Sequence, residues 1–356
     1  MQWNITKVYP KGMSINMYLS VTEHSDSIDN IIKEINQWSG GREKFLNIIS
    51  PPYNMYEIFA KVIINYIEDN KSILYITNEE PDNINIIKDL KKGNDFKNYT
   101  YFKINSNYRG TPLVICKHEM MNSISDKFDL VIYDDIKSFS FYSKEEIAKA
   151  TIERCKSEGK IIAYSIERIF NYSKELLFPV RANYSPLAEP KVITTRIDIN
   201  KDIPYVIYEY IEWIIRNERK VIVYVPSEEQ VSNVYEYLAC YCSKFSNNIF
   251  NYIKGREDKA ALYKFTNKNK CILVTNHFKD ISFNIENLNV MVFFAEDRYF
   301  NYKNLVYLCG KVGRSNYSLR GEVIFLANYD TDHMDTAKDI IRYFNKEAWE
   351  MNLLKI

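Results

Sequence analysis

Short runs of consecutive apolar residues alternate with stretches of helical spacing along most of this chain. Runs at 45–49, 73–76, 113–116, 128–133 and 160–164 are strand-length, and 56–67 and 84–90 between them have helical periodicity. The runs are continuous rather than alternating, as expected of strands buried on both faces. Strands that alternate with helices predict a parallel sheet wrapped by helices. The pattern breaks near 178–190, where Tyr184-Ser185-Pro186 and Glu189-Pro190 form a turn-rich connector. It then restarts with a helix over 205–216, a strand at 221–225 and a helix over 229–238. Strands at 271–274, 290–294 and 321–326 and a closing helix over 336–344 follow. Asp330-Thr331-Asp332-His333 reads as the cap region of that last helix. The expected architecture is α/β, with two tandem parallel-sheet domains at 46–185 and 186–356. An N-terminal extension precedes them at 1–45, with one amphipathic stretch over 26–38.

A length of 356 residues suits two domains. Lys+Arg number 47 and Asp+Glu 46, so the net charge of +1 excludes a nucleic-acid binder held by bulk charge. A local basic groove remains open. The 29 tyrosines and 19 phenylalanines fall mostly in apolar-patterned segments, so they read as core rather than as a base-stacking surface. Among six cysteines only Cys240 and Cys242 are close, as C-x-C, which supports no zinc ribbon. Residues His24, His118, His277 and His333 have no ligand spacing, and no metal site is expected. The start has no apolar signal-like run, and no stretch reaches the length of a membrane span. A cytoplasmic protein with reduced, buried thiols and no membrane insertion is the expectation.

Candidate chemistry concentrates in LVYLCGKVGRS at 305–315. Gly310 and Gly313 permit close approach, and Lys311 and Arg314 share one face at i, i+3. Two convergent cations suit a phosphate, although the same pattern fits an exposed basic turn. The segment resembles the sixth motif of superfamily 2 helicases, Q-x-x-G-R-x-G-R, with Tyr307 for the Gln and Lys311 for the first Arg. The text at 310–325, GKVGRSNYSLRGEVIF, looks closest to the ComFA family of competence helicase-like ATPases, associated with DNA uptake. FDLVIYDDIKSF at 128–139 resembles that family's second motif. Asp134 then matches the Mg²⁺-associated Asp, and Asp135 replaces the Glu that orients water. Residues 178–192 resemble the family linker, 220–226 with Ser227 the fourth motif, and 271–275 the start of the fifth. The resemblance implies two RecA-like domains and a catalytic set at Asp134, Asp135, Lys311 and Arg314.

The departures from the family pattern are concentrated at the nucleotide. The first motif should be a Gly-rich loop whose backbone N–H groups cradle phosphates and whose Lys reaches them. Ser50-Pro51-Pro52-Tyr53-Asn54-Met55-Tyr56-Glu57 stands there instead. Asn54, Met55 and Tyr56 fall at the nucleotide-binding positions, with Met55 for the Lys and Tyr56 for the Thr. Two prolines remove two donors. The third motif is reduced to Ala163-Tyr164-Ser165. The fifth continues as Asn276-His277-Phe278-Lys279-Asp280-Ile281 without its Arg and Gly, and residues 1–45 lack the family's cysteines. The resemblance therefore implies an ATPase-degenerate protein with no resident cofactor, ATP and Mg²⁺ being the alternative. Single- or double-stranded nucleic acid, a protein partner or an oligomer would be what it engages, in DNA uptake or processing. An active ATP-dependent helicase or translocase with an atypical nucleotide site, and a non-catalytic scaffold, are the competing readings. Phosphate contacts are expected from Asn78 beside Thr77, from Ser227, and from Thr275 and Asn276. In the loop at 105–110, Tyr108 and Arg109 would add a stack.

Overall fold

The computed structural model describes the backbone of residues 15–92, 96–104, 108–136, 142–256, 258–278 and 285–354, with side chains from Ile28 onward apart from Asn83. Asn105, Ser106 and Asn107 of the stacking loop lie outside the described residues. So do Lys137, Ser138 and Phe139 of the second motif and Lys279, Asp280 and Ile281 of the fifth.

The first domain is one seven-stranded parallel sheet. Its strands are β1 (Phe45–Ile49), β2 (Ile73–Ile76), β3 (Tyr99–Tyr101), β4 (Leu113–Cys116), β5 (Phe128–Asp134), β6 (Cys155–Ser165) and β7 (Lys174–Leu177). They lie in the order β3-β4-β2-β5-β6-β1-β7. The helices are α1 (Ile15–Gly40), α2 (Ala60–Glu68), α3 (Asn85–Lys91) and α4 (Lys144–Glu153). Among the described residues the second domain has six parallel strands, β8 (Pro190–Thr194), β9 (Lys220–Tyr224), β10 (Asn248–Tyr252), β11 (Cys271–Thr275), β12 (Leu288–Phe293) and β13 (Val323–Ala327). Their order is β10-β11-β9-β12-β13-β8. Around them pack α5 (Tyr205–Arg216), α6 (Glu228–Cys242), α7 (Lys259–Asn267), α8 (Tyr302–Cys309) and α9 (Asp332–Glu350).

The strands that the hydrophobic pattern predicts are the interior ones. Strands β2, β4, β9, β11, β12 and β13 are buried at every position. The edge strands β3, β7, β8 and β10 are half-buried and partly polar, so no continuous apolar run marks them. A buried asparagine ties the loop after β6 to the sheet. Asn47 in β1 donates to Phe170 O at 2.8 Å and accepts from the N–H groups of Ile169 and Phe170 at 3.1 and 3.2 Å. Thr331 caps α9, accepting from Met334 N.

Helix α1 is longer than the expected 26–38 and packs on the first domain. Ile28, Ile31, Ile32, Ile35 and Trp38 join the core that contains Phe59, Val62 and Tyr75. A helix ends with carbonyls that lack intrahelical donors. Here Lys160 donates to Trp38 O in the last turn at 3.0 Å and to Gly41 O and Glu43 O just past the helix at 2.9 and 2.9 Å, while its ammonium sits 4.9 Å from the Trp38 ring. Five cysteines are buried as expected, but Cys240 is exposed on α6 because it falls on that helix's solvent face. No helix among the described residues is long and apolar enough to cross a membrane.

Removing the Trp38 anchor should therefore loosen the N-terminal helix and the sheet together. Trp38→Ala is expected to cost about 3–5 kcal/mol, read as a lowered midpoint in urea unfolding followed by far-UV circular dichroism.

Candidate functional site at the domain interface

The loop after β1 carries the degenerate first motif, and it is buried rather than open. Ser50 N–H donates to Ser165 O at 2.9 Å, which ties the loop to the end of β6. Tyr53 takes a left-handed backbone conformation, φ 62°, a region that costs a tyrosine about 1–2 kcal/mol. Its N–H donates to Ile136 O at 3.0 Å. Asn54 turns inward, its amide donating to Ser50 Oγ at 2.8 Å and Val180 O at 2.7 Å, and its Oδ1 accepting from Met55 N. Met55 packs in a small apolar cluster with Phe178, Val180 and Ala348. Tyr56 is 4 % exposed and meets Tyr164 edge to face.

The facing surface comes from the second domain. Helix α8 ends at Cys309, and Lys311 and Arg314 sit on the turn beyond it rather than on the helix. A Cβ placed on Gly310 would lie 2.8 Å from Pro52 Cβ and 3.1 Å from the Tyr53 ring, so the two loops are already in contact. The Tyr53 ring lies 4.8 Å from Tyr307, centroid to centroid, and the Arg314 guanidinium lies 4.0 Å from the same ring. Lys311 is 5 % exposed, with its ammonium 5.1, 5.5 and 5.9 Å from the rings of Tyr307, Tyr224 and Tyr53. These residues do not fit a triphosphate in the manner of a Gly-rich loop. The Lys and Thr are missing, and prolines replace two donors. An aromatic ring fills the space between the loop and the two cations.

The carboxylates of the second motif are equally enclosed. Asp134 accepts from Tyr75 OH at 2.9 Å, Thr77 Oγ1 at 3.3 Å and Ile136 N at 3.4 Å. Burial, with the Asp134 charge adding, pushes the phenols of Tyr56 and Tyr75 well above their ordinary range. Asp135 is 8 % exposed. His118 Nε2 donates to Asp134 O at 3.0 Å, which leaves Nδ1 to accept from Tyr133 OH at 3.4 Å. Burial lowers the His118 pKa to about 4, with the Lys303 charge adding.

Two contacts that sequence spacing does not reveal join the domains. Glu167, two residues past β6, accepts from Lys303 of α8 at 3.1 Å, Tyr302 OH at 2.7 Å and Lys144 at 2.7 Å. Arg181 in the connector is 3 % exposed and donates to Val312 O, Gly310 O, Ser185 Oγ and Pro186 O. Asn183 donates to Gly313 O at 2.7 Å. Gly313 is at φ 70°, and a side chain there would strike Leu319 O at 2.5 Å. No local signal marks Glu167, Lys303 or Arg181 as bridging residues, because their partners in the other domain lie more than a hundred residues away.

The candidate nucleic-acid residues divide between two places. Asn78, Thr275, Asn276 and Ser227 all lie at or just past the carboxyl ends of strands, on the side where ligands meet open α/β sheets. Asn78 Oδ1 accepts from His118 N, Thr275 Oγ1 donates to Tyr252 O, and Asn276 Oδ1 accepts from Lys254 N. Ser227 is exposed and caps α6 in a capping box with Gln230. Beside it a cleft of about 790 Å³ opens between the carboxyl ends of β9 and β12, lined by Asn200, Lys201, Asn233, Asp297, Arg298 and Tyr299 among others. Tyr108 and Arg109 do not join this group. Arg109 pairs with Asp126 at 3.9 Å, and both lead into the amino ends of their strands.

Two parallel sheets in tandem, with the turn at 310–314 against the loop after β1, form a core of two RecA-like domains. Solved structures share it at low identity. S. cerevisiae Dbp5 bound to RNA and ADP BeF3 aligns with a TM-score of 0.51 and 11% identity, covering 87% of this chain and 88% of its own. E. coli HrpB, a DExH-box NTPase, gives 0.55 and 12%, covering 92% and 43%. The DUF1998 helicase MrfA bound to DNA and AMPPNP gives 0.52 and 11%, covering 96% and 54%. In sequence the chain is similar to competence protein ComFA. It is 22% identical to the Bacillus subtilis protein over 254 residues, 67% of this chain and 54% of that one. It is 23% identical to the Streptococcus pneumoniae protein over 256 residues, 68% and 58%. The chain thus spans about half the length of these relatives. No family model matches it.

Protonation of His118 should weaken the folded state. Between pH 6.5 and about 4 the unfolded chain binds a proton that the native site refuses, so stability is lost as pH falls through this window. The loss should reach about 3 kcal/mol. Urea midpoints across pH 4–7 should show a slope that His118→Gln reduces.

Proposed function

We propose that this protein is an ATPase-degenerate, ComFA-like component that holds nucleic acid without hydrolysing ATP, in DNA uptake or processing. The observation that carries this reading is the Tyr53 ring between the first-motif loop and the cations of the sixth motif. An arginine finger is worth about 10³–10⁵ in rate, but only when it meets a held γ-phosphate. Here Arg314 meets a tyrosine face. ATP and Mg²⁺ are accordingly not cofactors of this chain in the proposal, and the protein works in the cytoplasm.

A role in holding nucleic acid draws support from the neighbours of the same fold that were solved with RNA or DNA. Helical and strand-end groups on the second domain offer a surface for it. Lys201, Ser227 and Arg298 share the cleft at the carboxyl ends of β9 and β12. Asp297 there is occupied by its own turn, accepting from Tyr299 N at 2.8 Å. A strand lying on this edge would be held by phosphate contacts rather than by base readout.

Fluorescence anisotropy with single-stranded DNA and a phosphate-release assay test the proposal. The expected result is DNA binding that Mg-ATP leaves unchanged, with no phosphate release above that of Asp134→Asn. DNA-stimulated turnover abolished by Asp134→Asn would establish a working motor instead. Lys201→Ala with Arg298→Ala should weaken binding and lower the slope of log affinity against log salt by roughly 2.

A further inference from the structure

We infer that Tyr53 is an internal latch that holds the two domains closed, in the space where a nucleotide would otherwise bridge them. In a two-domain ATPase core, closure requires something between the facing loops that attracts both. The first domain ordinarily supplies a phosphate loop and the second its cations, and a ligand joins them. Here the joining group is covalently part of the first domain.

Four observations converge on the ring. Its backbone is left-handed, an outlier for a bulky residue that must be offset by contacts elsewhere. Its N–H is anchored to Ile136 O, just past the second-motif carboxylates. Its ring packs on Tyr307, and Arg314 covers it at 4.0 Å, so both partners belong to the other domain. Gly310 then leaves no room for any side chain of its own against Pro52 and Tyr53. One apolar core runs through this seam, from Ile49, Tyr53 and Ile166 into Tyr307, Cys309 and Val312. The Glu167–Lys303 pair, with side chains only 14 and 9 % exposed, closes a second point on the same seam. Closure is therefore a property of the unliganded chain. The latch is independent of whether nucleic acid binds, since none of its groups lies among the strand-end residues proposed for that role.

The test is single-molecule energy transfer across the domains of the full chain. Tyr172, 94 % exposed in the first domain, and Tyr263, 71 % exposed in the second, provide sites for Tyr172→Cys and Tyr263→Cys. Cys240→Ser removes the one exposed native thiol; the other five are buried. The parent chain should give one narrow population that millimolar Mg-ATP does not move, and Tyr53→Phe should match it. Tyr53→Gly suits the left-handed backbone but removes the ring. It should shift the open-to-closed ratio by roughly tenfold or more. Tyr307→Leu, which removes the partner ring from the other side, should do the same and serves if Tyr53→Gly loses its circular dichroism. Two populations in the parent chain, a shift on adding Mg-ATP, or unchanged distributions in the folded ring variants would overturn the latch. Absence of DNA binding with a closed parent chain would count against the proposed function alone.

Discussion

The packing of one first-domain tyrosine against a tyrosine and an arginine of the second domain is the contact on which the rest of this molecule depends. It decides what the loop after β1 must be. A Gly-rich loop leaves its N–H groups pointing at empty space for a phosphate to fill. The loop here spends its donors internally, on Ser165 O, Ile136 O and the Asn54 carboxamide. Prolines at 51 and 52 have no donor to spend. The loop keeps a left-handed turn, but with an aromatic ring at that position rather than a glycine.

The retained cations follow from the same contact. A buried cation needs either an anion or dense dipolar and aromatic solvation. Lys311 lies within 6 Å of three tyrosine ring centres, and the Arg314 guanidinium lies over one ring at 4.0 Å. A desolvated cation–π contact is worth up to about 2 kcal/mol, a favourable contribution for the buried Lys311. Arg181 is solvated differently, by carbonyls of the sixth-motif turn and of its own connector. Burial, with the nearby Arg314 charge adding, lowers its pKa to about 9. The connector and the sixth-motif turn are thereby tied to each other by several buried and part-buried hydrogen bonds.

Coupling across the seam is also ionic. Glu167 stands where the third motif meets the second domain, and it gathers two lysines and a phenol. In a cycling motor such contacts would form and break with the nucleotide. Here they accompany an aromatic core that already spans the interface, so one packing arrangement satisfies both domains at once.

Much of this protein was legible in its sequence, and the legible part has a common physical cause. Interior parallel strands must be apolar on both faces, so runs such as LVIC at 113–116 and CILV at 271–274 announce themselves locally. The loss of Gly, Lys and Thr after β1 was equally plain, because a phosphate loop is a local motif. Edge strands such as KELL at 174–177 were not legible, since a half-buried strand needs no apolar run. Nor was the placement of Arg109, which only chain topology puts at the amino ends of the strands, beside Asp126. Sequence alone determined that two α/β domains form and that the loop after β1 has no Gly, Lys or Thr. Only the tertiary structure decided what lies beside that loop, because Tyr53 is separated by some 250 residues from Tyr307 and Arg314 and meets them only when the two domains pack together.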